Sequence, residues 1–188
     1  MIKIGYESKI IFGLSDIHYS IDGINIKPLL GGLDISVEFE DKSIYAKVNG
    51  VDNIKISSPS NGNGTLNILG MTVKEMKDIL GYQGVEGEIY MQDSFNAPYV
   101  TLLFAREKAN GEKLLNVLYK CKFDVTGLSA KTIQENVEQE NIELKFKCIA
   151  DSDRYNLQYF ILDTEASLNK YKIDNFFKEI QIPEGVKK

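Results

Sequence analysis

The chain has 188 residues, 27 acidic against 22 basic, and a formal net charge of -5; an acidic balance of this kind argues against gripping nucleic acid through its phosphates, which takes clustered Lys and Arg. One His and two Cys, Cys121 and Cys148, exclude a His-built metal centre within one chain and a disulfide scaffold. No apolar run nears the roughly 20 residues of a membrane helix, and Met1-Ile2-Lys3-Ile4-Gly5 lacks the apolar stretch of a secretory leader. These features predict one soluble, cytoplasmic domain, large enough to bury a core.

In chain order, residues 1–30 are apolar in places but barely alternate, and Gly13, Gly23 and Pro28 interrupt them. They are expected to form an N-terminal arm or edge segment. From Leu33 the period is two. Leu33, Ile35, Val37 and Phe39 alternate with Asp34, Ser36, Glu38 and Glu40, the pattern of a half-buried strand with an acidic outer face.

Residues 41–64 predict an extended hairpin and loop. Ile44 to Val48 and Ile54 to Ile56 suit short strands around a turn at Asn49-Gly50-Val51-Asp52. Ser57, Ser58, Pro59, Ser60, Asn61, Gly62, Asn63 and Gly64 have no period and are expected as a polar loop. A strand follows at Thr65 to Leu69. Thr72 and Glu75 then have capping-box spacing, Val73, Met76, Ile79 and Leu80 have helical spacing, and Gly81 is a stop.

Further strands are expected at Glu88 to Met91 and at Tyr99 to Arg106, the latter apolar enough to be buried on both faces. Asn110-Gly111 suits a hairpin turn. Val117, Tyr119, Cys121 and Phe123 alternate with Leu118, Lys120 and Lys122, and Ile142, Leu144, Phe146 and Cys148 with Glu143, Lys145 and Lys147. Tyr155 to Leu162 reads as one more strand. A C-terminal segment, 165–188, carries a helix expected over Asp174 to Ile180, with Phe176, Phe177 and Ile180 on its apolar side and Pro183 beyond it. The whole is mainly β, a sandwich or barrel-like domain with one flanking helix.

Chemistry is sparse. His18 is the only base available to a Ser/His/Asp or Cys/His arrangement, and a single packed or exposed His explains it better. Both cysteines fall at inward strand positions, as buried hydrophobes do. Asn61-Gly62-Asn63-Gly64 lacks the Lys, the Ser/Thr and the helix of a phosphate loop. Asp151-Ser152-Asp153 lacks the remaining ligands of a calcium loop. Glu135, Glu138, Glu140 and Glu143 suit a solvated face. Ten Tyr and nine Phe sit mostly at core-facing positions. No catalytic, cofactor or metal set emerges, so an enzyme is the least supported class.

The order of segments says more. Ile11-Phe12-Gly13-Leu14-Ser15-Asp16-Ile17-His18-Tyr19, then Gly32-Leu33-Asp34-Ile35-Ser36-Val37, resemble the opening of siphophage major tail tube proteins. Gly64-Thr65-Leu66-Asn67-Ile68 leading to Met76-Lys77-Asp78-Ile79-Leu80-Gly81 is similar to that family's strand and short helix ending in Leu-Gly. Ala97-Pro98-Tyr99-Val100-Thr101-Leu102-Leu103-Phe104, Leu118-Tyr119-Lys120-Cys121-Lys122-Phe123 and Asp174-Asn175-Phe176-Phe177-Lys178-Glu179-Ile180 resemble its central strand, its Leu-Tyr-x-Cys strand and its C-terminal aromatic helix. The Ser- and Asn-rich stretch from Ser57 to Gly64 departs from the pattern.

The resemblance implies a single tail tube domain over 1–188. Six copies would form a ring, and rings would stack into a hollow tube that conducts DNA from capsid to host without binding it specifically. The implied partners are further copies of the chain and the tape measure, terminator and baseplate proteins, with no cofactor and no membrane. The implied location is the virion tail, assembled in the bacterial cytoplasm. Six copies at -5 carry about -30 per ring, so Asp34, Ser36, Glu38 and Glu40 are candidates to face the lumen and repel DNA, with Glu138, Glu140 and Glu143 as a second set. Ordinary solvent-facing acids are the alternative. Ser57, Ser58, Pro59, Asn61, Gly62, Asn63 and Gly64 are candidates for contacts between subunits or rings. Two other functions fit: the tube protein of a contractile tail or tail-like bacteriocin, and a β-sandwich binding or capsid-decorating module.

Overall fold

The computed structural model describes residues 5–40, 42–48, 51–58, 61–92, 96–125 and 141–186. The protein is mainly β. The strands are β1 (Ile11–Ser20), β2 (Lys27–Pro28), β3 (Gly32–Phe39), β4 (Lys42–Val48), β5 (Val51–Ser58), β6 (Gly62–Ile68), β7 (Gln83–Val85), β8 (Glu88–Tyr90), β9 (Tyr99–Lys108), β10 (Lys113–Phe123), β11 (Ile142–Ile149) and β12 (Tyr159–Asp163). The main antiparallel sheet runs β2-β1-β9-β10-β11-β6-β3, and β12 also pairs with β10. β10 is long enough for two partners on one edge: Leu114 to Leu118 meet β12, and Lys120 to Phe123 meet β11.

The sheet curls until the start of β3 meets β1. Gly32 on β3 packs against Ile17 on β1 so closely that a Cβ would lie 2.0 Å from the isoleucine's terminal carbon. Any larger residue there would push the two strands apart. Inside the curl lies the main core, with Ile17, Leu66, Ile68, Val100, Leu102, Phe104, Leu118, Phe123, Leu144 and Phe146 buried. Alternation on β9 sends Leu103 and Ala105 the other way, into a second core with Leu115, Val117, Tyr119, Leu162 and Phe176. The central strand is therefore buried on both faces, as its apolar run predicts.

Of the arm or edge segment expected over 1–30, the described residues form an edge region of the main sheet rather than a free arm. Residues 11–20 form β1, between β2 and the central β9, with Ile17 and Tyr19 in the core. Two bulges conceal the strand in the sequence. Register against β9 shifts between Phe12 and Leu14 and between Ser15 and His18, where Gly13 (φ 70) and Asp16 (φ 53) adopt left-handed backbone. Each extra residue breaks the period of two.

The first helix starts as expected. Thr72 and Glu75 form both bonds of a capping box around α1 (Val73–Glu75). The chain then widens into a π-type turn over Met76–Leu80, and Gly81 N–H closes it on the Lys77 carbonyl. Ile79 and Leu80 enter the main core. Tyr19 donates to Asp78 at 3.0 Å and Lys27 reaches the same carboxylate at 2.6 Å, tying this turn to β1 and β2.

The C-terminal helix lies earlier than predicted. α2 spans Lys170–Asp174, and Asn175 to Lys178 are in turns. Asn175 donates its side-chain amide to the Tyr171 carbonyl at 2.9 Å, a local bond that competes with helix continuation. Phe176 is still buried, with Ile173, Phe177 and Ile180 packed around it. Tyr119 clamps the segment by donating to the Gln181 carbonyl at 2.7 Å. The strand expected from Tyr155 begins only at Tyr159; before it the Asp151 carbonyl accepts from the N–H groups of Arg154, Tyr155 and Asn156 in a tight turn.

Candidate functional site

The outward face of β3, β6, β11 and β10 is built in rows by the antiparallel register. Asp34, Asn67 and Glu143 make one row, Ser36, Thr65 and Lys145 the next, and Glu38, Asn63, Lys147 and Lys122 a third. Their inward neighbours Ile35, Val37, Leu66, Leu144, Phe146 and Cys148 pack into the core, which forces the polar set outward. Asn67 donates to both Asp34 oxygens, at 2.9 and 3.1 Å, and Asn63 donates to Glu40 at 2.8 Å. Glu143 sits 3.5 Å from Lys145.

Asp34, Ser36, Glu38 and Glu40 are exposed, as their alternation predicts. The face they share is not uniformly acidic, because strand pairing brings Lys145, Lys147 and Lys122 onto it. The carboxylates of β3 stand at the open edge and the amines two and three strands away, around a concavity of about 390 Å³ that includes Ser36, Glu38, Lys145 and Lys147. Of the second acidic set, Glu143 is on this face; Glu138 and Glu140 lie outside the described residues. The inward partners are less regular than expected: a bulge between Gly32 and Asp34 turns Leu33 out, and Leu33 and Phe39 are 42% and 41% exposed.

The loop expected from Ser57 to Gly64 is corrected. Ser57 and Ser58 end β5, and Gly62, Asn63 and Gly64 begin β6, bonded to β3 on one side and β11 on the other. Asn61 precedes β6, and Pro59 and Ser60 lie outside the described residues. Gly64 reads as a loop glycine in sequence, but it is a strand residue under the Phe146 ring, where a Cβ would come within 2.3 Å. β4 and β5 pair with each other and with no other strand among the described residues. Among the described residues β3 pairs with β6 alone.

Other chemistry-bearing residues serve packing. His18 stacks on Phe177 with ring centroids 4.4 Å apart. Cys121 and Cys148 are direct cross-strand partners, both free and fully buried, and burial pushes the Cys121 thiol up. Asp153 bonds Lys120 at 2.5 Å, which raises the Lys120 amine and lowers the Asp153 carboxyl. Among the described residues no group of three His, Cys, Asp or Glu could hold a metal ion, and no helix is long and apolar enough to cross a membrane.

One cluster escapes sequence inspection. Arg106 follows Val100, Leu102 and Phe104 on the inward row of β9. Its Nη2 donates to Asn116 Oδ1 at 3.0 Å, which also accepts from the Tyr159 hydroxyl at 2.6 Å. The available signal was parity: a cation in phase with three core residues.

No protein-family model matches the chain, and no curated protein matches it.

Proposed function

We propose that the chain is a structural subunit of a phage-type tail tube, a protein that forms six-membered rings stacking into a hollow conduit for DNA. The observation that carries this is the β4–β5 hairpin. It is inserted between β3 and β6, two neighbours in the main sheet, and gains no third strand from its own chain among the described residues. An isolated two-stranded hairpin is marginal in water; a neighbouring copy supplies the missing partner. The open edge of β3, with Leu33 and Phe39 partly exposed, supports the same reading, since an unpaired edge is a ready contact that cyclic symmetry can close.

The rows on the outward face refine the lumen idea. Repulsion of DNA by this face belongs to the β3 side, where Asp34, Glu38 and Glu40 stand, while Lys145 and Lys147 offset it further in. The tape measure, terminator and baseplate proteins remain the partners this function implies, and the virion tail its location.

Electron microscopy of the concentrated protein tests the proposal. Hollow rings or tubes are expected; a persistent monomer would overturn it. The Glu40 N–H bonds the Asn61 carbonyl at 3.2 Å, so residues 42–58 can be replaced by a short turn. That variant should keep its β signal and cooperative melting but form no tubes.

A further inference from the structure

The inward row of β9 ends on a guanidinium at the mouth of the curled sheet. Arg106 lines a recess of about 180 Å³ with Ile35, Val37, Phe39, Phe104, Leu118 and Tyr159. Apart from the Arg106 head and the Tyr159 hydroxyl, those walls are apolar. The polar groups beside the guanidinium are already committed: Asn116 is fully buried, its oxygen accepts twice, and its amide donates to the Leu114 carbonyl at 2.6 Å. Arg106 Nε is buried with no hydrogen-bond partner. No carboxylate among the described residues pairs with this cation, although the other inward cation of β9, Lys108, has both Asp163 and Glu165.

The half-buried guanidinium bonds only neutral partners, Asn116 and the Tyr159 hydroxyl, and among the described residues no anion balances its charge. Its planar fork is suited to a carboxylate. The size of the recess limits the rest of the ligand. An apolar cavity of about 150 Å³ admits benzene, so this one takes a ring or a short aliphatic chain. Phe39, tilted on Tyr159 with centroids 5.6 Å apart and 41% exposed, forms the outer wall. From this geometry we propose that the mouth of the sheet binds a small monocarboxylate with an aromatic or short aliphatic body, the carboxylate on Arg106 and the body against Phe39, Phe104 and Leu118. Binding here does not depend on ring assembly.

The test uses the full chain with benzoate and hexanoate as probes, followed by calorimetric titration and thermal melting. Saturable binding and a raised melting temperature are expected for at least one of them. Benzyl alcohol and hexanol, which lack the charge, should bind at least about tenfold more weakly, the size of a lost charge-assisted hydrogen bond, and so should acetate, which lacks the apolar body. Arg106→Met should abolish carboxylate binding. If that variant does not fold, the comparison of charged and neutral probes on the unaltered protein decides alone. No saturable binding by either carboxylate, or equal binding of the neutral analogues, overturns the proposal. So does sedimentation showing self-association that needs Arg106 while neither carboxylate binds, because the recess would then hold an acidic side chain of another copy.

Discussion

Lys122 on β10 and Lys147 on β11 face each other directly across the sheet, two like charges in one row with Glu38 at its far end. Like charges directly opposite are destabilising, and opposite charges gain roughly 0.2–1 kcal/mol. Lys147→Glu should therefore raise stability by about 0.5–1 kcal/mol in urea unfolding. The gain should shrink as salt is added, because Lys147 is exposed and Lys122 only half-buried, so the pair is screened.

The cysteines supply a reactivity prediction. Cys121 and Cys148 are fully buried and the Cys121 thiol is pushed up, so the nucleophilic thiolate is scarce and unreachable. An exposed-thiol reagent should label neither residue in the native protein and both in denaturant. Replacing both with Ala should cost about 1–3 kcal/mol through lost packing.

Gly64 under Phe146 makes a coupled pair. Gly64→Ala should destabilise by about 1–3 kcal/mol, because the ring must move out of a packed core. Phe146→Leu should itself be costly, yet the double variant should lose less than the sum of the two. Strict additivity in urea unfolding would show that the ring does not rest on Gly64.

Acid should destabilise the protein through four carboxylates, among them Asp153, which Lys120 holds low. Asp22 is held low by the backbone N–H groups of Ile24 and Asn25, Glu107 by Ser15 and Lys113, and Glu165 by Asn110, Ser8 and Lys108. A carboxyl lowered in the folded state adds stability that is complete above its unfolded value and disappears as pH falls through its folded value. Stability should be flat near neutral pH and decline below about pH 4. Asp22→Asn should make that decline shallower, measured by melting across an acid pH series.

The regular part of this architecture was legible because alternation is a local property. The inward set of β11, the double burial of β9, the Asn110-Gly111 turn and the Thr72–Glu75 cap all follow from spacing alone; β10 does not keep the single apolar face its alternation predicts, because a bulge between Leu118 and Cys121 sends Val117 and Tyr119 into the second core and Leu118, Cys121 and Phe123 into the main one. Gly111 N–H bonds the Lys108 carbonyl at that turn, and both cap bonds are present. β1 was not legible, since two bulges broke its period. Gly62 to Gly64 were not legible either, because what makes Gly64 a strand residue is a ring from β11, far away in sequence. Along β3 the sequence by itself determined which side chains turn outward. Tertiary structure alone decided what they meet there: pairing across β6 sets Lys145, Lys147 and Lys122 on the face that Asp34 and Glu38 seemed to make acidic. It alone also left Arg106 with no carboxylate partner among the described residues, because charge balance at a site is a sum over strands that the chain order does not bring together.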